Sequence, residues 1–168
     1  MENIVQKVSL SKGGVYRLYP STTEILKDLM IEGMRLRNAF YEQQVQQRIA
    51  AGQPLTLAFL VEMICDSLLL YPDFSAVYVE FLWEKQRSSD LQQAYQQICA
   101  ESIQETLALM QRYGADRLLQ GHASLETLTE LMNAAILSLR ILNLQEFFAA
   151  HKADICAAIT RTLENETN

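Results

Sequence analysis

The placing of helix breakers constrains this chain more than any other feature. Its three prolines, Pro20, Pro54 and Pro72, and the glycines Gly52 and Gly114 fall between segments whose apolar residues recur at helical spacing. The residue before a proline is pushed out of helical geometry, so a helix over 11–19 must stop at Pro20. Ser21 or Thr22 then caps a long helix over 23–50. Its first half carries Ile25, Leu26, Leu29, Met30, Met34 and Leu36, and its Gln-rich second half is anchored by Phe40, Val45 and Ile49. Gly52-Gln53-Pro54 ends that helix, with glycine just past the stop and proline at the next start.

Residues 55–70 are apolar nearly all round, which predicts a central helix covered on several sides. Tyr71-Pro72-Asp73 breaks it. A helix over 75–87 carries Val77, Tyr78, Phe81, Leu82 and Trp83, and Ser88-Ser89-Asp90 caps the next, over 90–113, which presents Leu91, Tyr95, Ile98, Ser102, Leu109 and Met110 on one face. A loop over 114–123 holds one short turn at 116–119. Ser124 caps a helix over 125–142, with Glu126 and Glu130 near its positive end. A last helix covers 144–164, and 165–168 should fray. With nearly half of the residues apolar, few glycines and abundant Leu, Ala, Gln and Glu, the expectation is an all-α protein.

Charge is unevenly placed. The chain carries −6 overall, yet residues 1–40 hold six basic residues (Lys7, Lys12, Arg17, Lys27, Arg35, Arg37) against Glu2, Glu24, Asp28 and Glu32, a net +2 that leaves −8 on the remainder. A basic end on an acidic body suits contact with nucleic acid through one end. Cys65, Cys99 and Cys156 are far apart and odd in number, which suits three free thiols buried in a reducing cytoplasm. No signal pattern opens the chain, and Glu62 and Arg140 interrupt its most apolar runs well short of a membrane span; the expected location is cytoplasmic, with no membrane partner.

The basic end has its own pattern. Ile4, Val5 and Val8 describe the buried face of a short helix that Ser9-Leu10 breaks. Ser11 reads as the cap of a second helix, which buries Val15 and Leu18 and points Lys12, Gly13, Gly14, Tyr16 and Arg17 outward. Two short helices sharing an apolar seam across a tight turn make a helix-turn-helix, whose second helix fits a DNA major groove. Ile4-Val5, Val8-Ser9-Leu10-Ser11-Lys12-Gly13-Gly14-Val15-Tyr16 and Tyr19-Pro20-Ser21 together resemble the core DNA-binding motif of the TetR family of bacterial transcriptional regulators. The motif occupies about an eighth of the chain.

This resemblance implies a helix-turn-helix at 1–22, extended to about residue 40 by a connecting helix, and a helical ligand-binding and dimerisation domain over 41–168. It implies a homodimeric, ligand-responsive regulator of double-stranded DNA, a repressor, which a small apolar or cationic effector releases from its operator. Ser11, Lys12, Gly13, Gly14, Tyr16, Arg17 and Tyr19 would form the DNA-binding set. Lys12 and Arg17 would approach phosphates or base edges, the two tyrosines would donate to phosphates, and the glycines would let the backbone come close. The chain departs from the family's pattern in beginning at the second helix of the reading head. Ser9 also stands where glycine is usual, Val5 where alanine is, and Leu18 and Thr22 where polar or basic residues are common. The expectation is a truncated head with weakened DNA affinity. The competing reading is a ligand-binding or dimerising helical module that no longer reads DNA.

In the body, Phe59, Met63, Tyr78, Phe81, Trp83, Tyr95, Cys99 and Met110 come from three helices expected to be neighbours, and the resemblance places a pocket for a bulky apolar ligand there. The same residues also suit plain core. Glu62 and Asp66 lie four apart on the most apolar helix: buried together, they would favour a cationic ligand, and exposed, they are a solvated strip. Leu125, Leu128, Leu131, Met132, Ala135 and Leu139 form one stripe, with Leu137, Ile141 and Leu144 off it; Phe147, Phe148, Ile155, Ile159 and Leu163 stripe the last helix. One stripe serves the protein's own core. The surplus fits a two-fold pairing into a four-helix bundle through Leu128, Leu131, Met132, Ala135, Leu139, Phe148, Ile155 and Ile159, which sets two reading heads at half-site spacing.

No catalytic constellation emerges. His122 and His151 have no companions at metal-ligand spacing, Ser11-Lys12-Gly13-Gly14 lacks the frame of a phosphate loop, and no cofactor is implied.

Overall fold

A computed structural model describes residues 12–119 and 125–165. All regular structure among them is helical. Helix α1 (Lys12–Leu18) is followed by the long α2 (Thr22–Ala50), α3 (Leu57–Leu69), α4 (Pro72–Glu84), α5 (Ser89–Arg112), a 3-10 turn at Asp116–Leu119, α6 (Leu125–Ile141) and α7 (Gln145–Asn165). None of these is long and apolar enough to cross a membrane. The expected helix at Ile4, Val5 and Val8, the Ser9-Leu10 turn, the Ser11 and Ser124 caps and most of the C-terminal tail lie outside the described residues, as does the Lys12 side chain.

Local chemistry sets the boundaries. Ser21, Thr56 and Ser88 are extended N-cap residues whose hydroxyls accept from the backbone N–H groups of Glu24, Phe59 and Leu91 at 3.3, 3.2 and 3.3 Å. Gly52 and Gly114 leave α2 and α5 with φ of +67°, the left-handed conformation that a glycine adopts without strain. The helix expected over 75–87 shifts at both ends, ending at Glu84 rather than Arg87. Helix α4 starts at Pro72, three residues before the expected start, because proline fits the first helical position, where no N–H is required. Tyr71, rather than the Pro72-Asp73 pair, makes the break, at φ 50°.

Helix α2 is the spine. Helices α5, α4 and α3 pack along it, α7 lies against α3, and α6 crosses α4 and α5. Two apolar clusters sit on α2. Toward its C-terminal end, Tyr41 and Val45 pack with Phe59, Leu60 and Met63; toward its N-terminal end, Met30 packs with Phe81 and Leu91. Five of the thirteen α3 residues are buried, which makes it the covered central helix that its composition demands.

Cys65 is buried on α3, and burial followed by the neighbouring Cys156 thiol of α7 pushes its pKa up to about 12. Cys99 and Cys156 are half-buried.

The apolar stripe on α6 divides differently from expectation. Leu139 is buried within the protomer, and Leu128 and Met132 face its interior, because the richest stripe is the one the chain's own core takes. The surplus lies on the opposite face: Leu131, Ala134, Ser138 and Ile141 are exposed, and Leu142, Phe147, Ala150, Ala157, Ala158 and Ile159 continue exposed small and apolar surface onto α7. Ala135, Phe148 and Ile155 are half-buried.

Candidate functional site

Two cavities flank the middle of α2. The first, about 110 Å³, lies between α2, α4, α5 and α6, and has room for several waters or one small organic molecule. Tyr78, Phe81, Tyr95 and Cys99, four of the expected pocket residues, line it with Met30, Gly33 and Phe74. Gly33 is what lets α4 close over this space. A β-carbon there would come within 3.2 Å of the Phe74 ring.

Polar groups on the wall form a connected chain. The Tyr78 hydroxyl donates to Asn133 Oδ1 at 2.7 Å, Asn133 Nδ2 donates to the Tyr95 hydroxyl at 2.8 Å, and that hydroxyl donates to Glu130 at 3.0 Å. Three helices, α4, α6 and α5, are thereby fixed around one cavity. Asn133 is buried and needs these partners, since an unpaired buried amide is costly. Burial is the first cause that raises the pKa of both tyrosines, so they remain neutral donors. Lys85 lies 3.2 Å from the centre of the Tyr95 ring, and burial lowers its pKa.

The second cavity, about 70 Å³, lies further along α2 and is almost wholly apolar. Met63 and Met110, expected in a pocket, line it together with Leu60, Leu109, Leu128 and Met132. Arg37 and Ser102 border both cavities, and the Arg37 guanidinium donates to the Ser102 hydroxyl between them.

Four expected pocket residues line neither cavity. Phe59 packs in the core beside Tyr41 and Val45, with the Arg48 guanidinium 4.5 Å from its ring centre. Trp83 is 55% exposed: five residues after Tyr78, it points roughly 140° away around the helix. Glu62 and Asp66 are a partly exposed strip whose cation comes from within the chain. Lys152 of α7 lies 2.5 Å from Asp66 and 3.9 Å from Glu62, and the Asp66 carboxylate is the first cause that raises its pKa. The case for a cationic ligand at that pair therefore falls.

At the other end of α2, α1 turns Val15 inward at 4% exposure, while Gly13, Tyr16 and Arg17 face solvent and Gly14 is half-buried. Leu18, expected beside Val15, is 61% exposed, on the last residue of the helix. Tyr19 stands beside Asp28, whose hydrogen bond and charge raise its pKa.

Ser102 lines the cavities on the helix face expected to carry Tyr95 and Ile98, whereas Arg37, Asn133 and Gly33 were not singled out from the pattern. A signal existed for two of them. Met30, Met34, Arg37 and Tyr41 share one helical face, as do Thr129, Asn133 and Ile136; a polar residue within an inward stripe marks a cavity wall or a buried network. Compared with protein-family models, curated proteins and solved structures, the chain has no significant match in any of the three.

Proposed function

We propose that the protein is a ligand-responsive, DNA-binding transcriptional regulator of the TetR type, a homodimeric repressor without catalytic activity. One observation carries the reading: a single unbroken helix of 29 residues, α2, begins beside the exposed Tyr16 and Arg17 and, half-way along, supplies Met30, Gly33, Met34 and Arg37 to the cavity walls. A molecule entering there bears directly on the helix that carries the reading end. Any tilt of α2 changes the spacing of the two reading ends in a dimer, and duplex affinity changes with it. The exposed surface around Leu131, Ile141, Leu142 and Phe147 supports pairing through α6 and α7.

Enrichment of a preferred sequence from a random duplex library at low salt, followed by titration of that duplex, tests the reading. The enriched duplex should bind with an affinity that falls as salt rises, and Arg17→Ala should weaken it and flatten the salt dependence by about 0.9 in slope for each phosphate contact removed. Failure to enrich any sequence would leave a ligand-binding module that does not read DNA.

A further inference from the structure

We infer that the two cavities form one binding site for an organic monoanion, a carboxylate with an apolar tail, whose charged end docks on Arg37. The inference rests on the proposed function only in assigning that molecule the role of effector. Among the described residues lining both cavities, Arg37 alone carries a charge, and it borders each of them. No described carboxylate pairs with it. Its hydrogen bond goes to the neutral Ser102 hydroxyl, while its buried Nε has no partner among the described residues.

A guanidinium whose donors are partly unused, set between apolar walls, is a poor arrangement for stability alone. It suits a carboxylate, which can accept from two guanidinium N–H groups at once. On one side of Arg37, Leu60, Met63, Leu109, Met110 and Met132 offer a nearly pure apolar chamber for a tail. The acids at Glu62 and Asp66, which would repel an anion, lie outside both cavities and are held by Lys152.

Calorimetric titration of the full chain tests this with three probes of equal chain length: octanoate, octan-1-ol and octylammonium. The same acid and alcohol comparison runs from butanoate to decanoate, with phenylacetate as an aromatic acid. The expected result is that at least one acid binds about tenfold or more tightly than its alcohol, and that octylammonium binds least. Arg37→Met should bring that acid down to the alcohol's affinity while the alcohol's own affinity stays, which also reports that the variant is folded. Arg37→Lys, which keeps the charge without the fork, should retain part of the preference. Acids no tighter than their alcohols across the whole series overturn the proposal, as does a preference that survives Arg37→Met. An acid that binds without altering affinity for the enriched duplex leaves this site standing and removes the effector role. Duplex binding with no acid preference does the reverse.

Discussion

Asn133 ties three helices together through two tyrosine hydroxyls, so its energetics should be strongly coupled to theirs. Consider Asn133→Leu and Tyr78→Phe, alone and combined. In the native background, Tyr78→Phe removes the 2.7 Å bond and leaves Asn133 Oδ1 buried without a donor, at a cost of about 1–3 kcal/mol. In the Asn133→Leu background the Tyr78 hydroxyl has already lost its acceptor, so the same change should be neutral or stabilising. The Tyr95 hydroxyl differs, because it keeps Glu130 at 3.0 Å in every variant. The coupling should therefore be about 2 kcal/mol. For 168 residues, an unfolding entropy of about 2.1 cal/mol/K per residue converts 1 kcal/mol into about 3 °C, so the double variant should melt about 6 °C above the sum of the single effects. Calorimetric melting of the four proteins decides. Additivity within about 0.5 kcal/mol would show that the hydroxyl and the amide are not energetically joined, and the chain of bonds would carry no structural weight.

Gly33→Ala should be close to neutral, since about 1 kcal/mol of helix propensity is offset by crowding the Phe74 ring at 3.2 Å, a ring that can yield into the cavity. Gly33→Leu should cost about 1–3 kcal/mol and weaken any ligand of the first cavity; calorimetry reads both effects, and unchanged binding would move the ligand elsewhere. Ile141→Asp combined with Phe147→Asp should give folded monomers by sedimentation, whereas Leu139→Asp, a charge placed in the protomer core, should unfold the chain. Stability should fall as pH rises above about 9. The Cys65 thiol is neutral in both states below its unfolded pKa, but above it the unfolded chain ionises while the folded thiol, at about 12, resists, so stability is lost progressively until the folded pKa is passed. Urea melts across that range should show a smaller loss for Cys65→Ala, and an equal loss would contradict the assignment.

Much of the fold was legible because its determinants are local. Caps at Ser21 and Ser88 and glycines at 52 and 114 act within one turn of the backbone, and each lies at or next to the expected boundary. The covered nature of α3 follows from composition alone. What periodicity cannot settle is which of two apolar faces turns inward when both are rich. Leu128, Met132 and Leu139 were assigned to a partner, and the core claims them; Trp83 was assigned to a pocket, and Phe81 and Leu82 take the inward positions. Nor could the chain reveal that Lys152, 86 residues beyond Asp66, answers the acidic pair, since that contact exists only once α7 lies against α3. Arg37 escaped notice for a simpler reason. It was counted with the basic residues of the reading end, although its spacing from Met30 and Met34 puts it on the inward face.

Coupling of the cavities to the exposed end of α1 through α2, as proposed, requires that the two sites show reciprocal effects on affinity. The most direct measurement is the dissociation constant of the tightest-binding acid, taken on the free protein and again with the enriched duplex at saturation. The two values should differ by about 5- to 150-fold, with the duplex weakening the acid, and the acid should weaken the duplex by the same factor. Equal constants would mean that α2 transmits nothing between its ends.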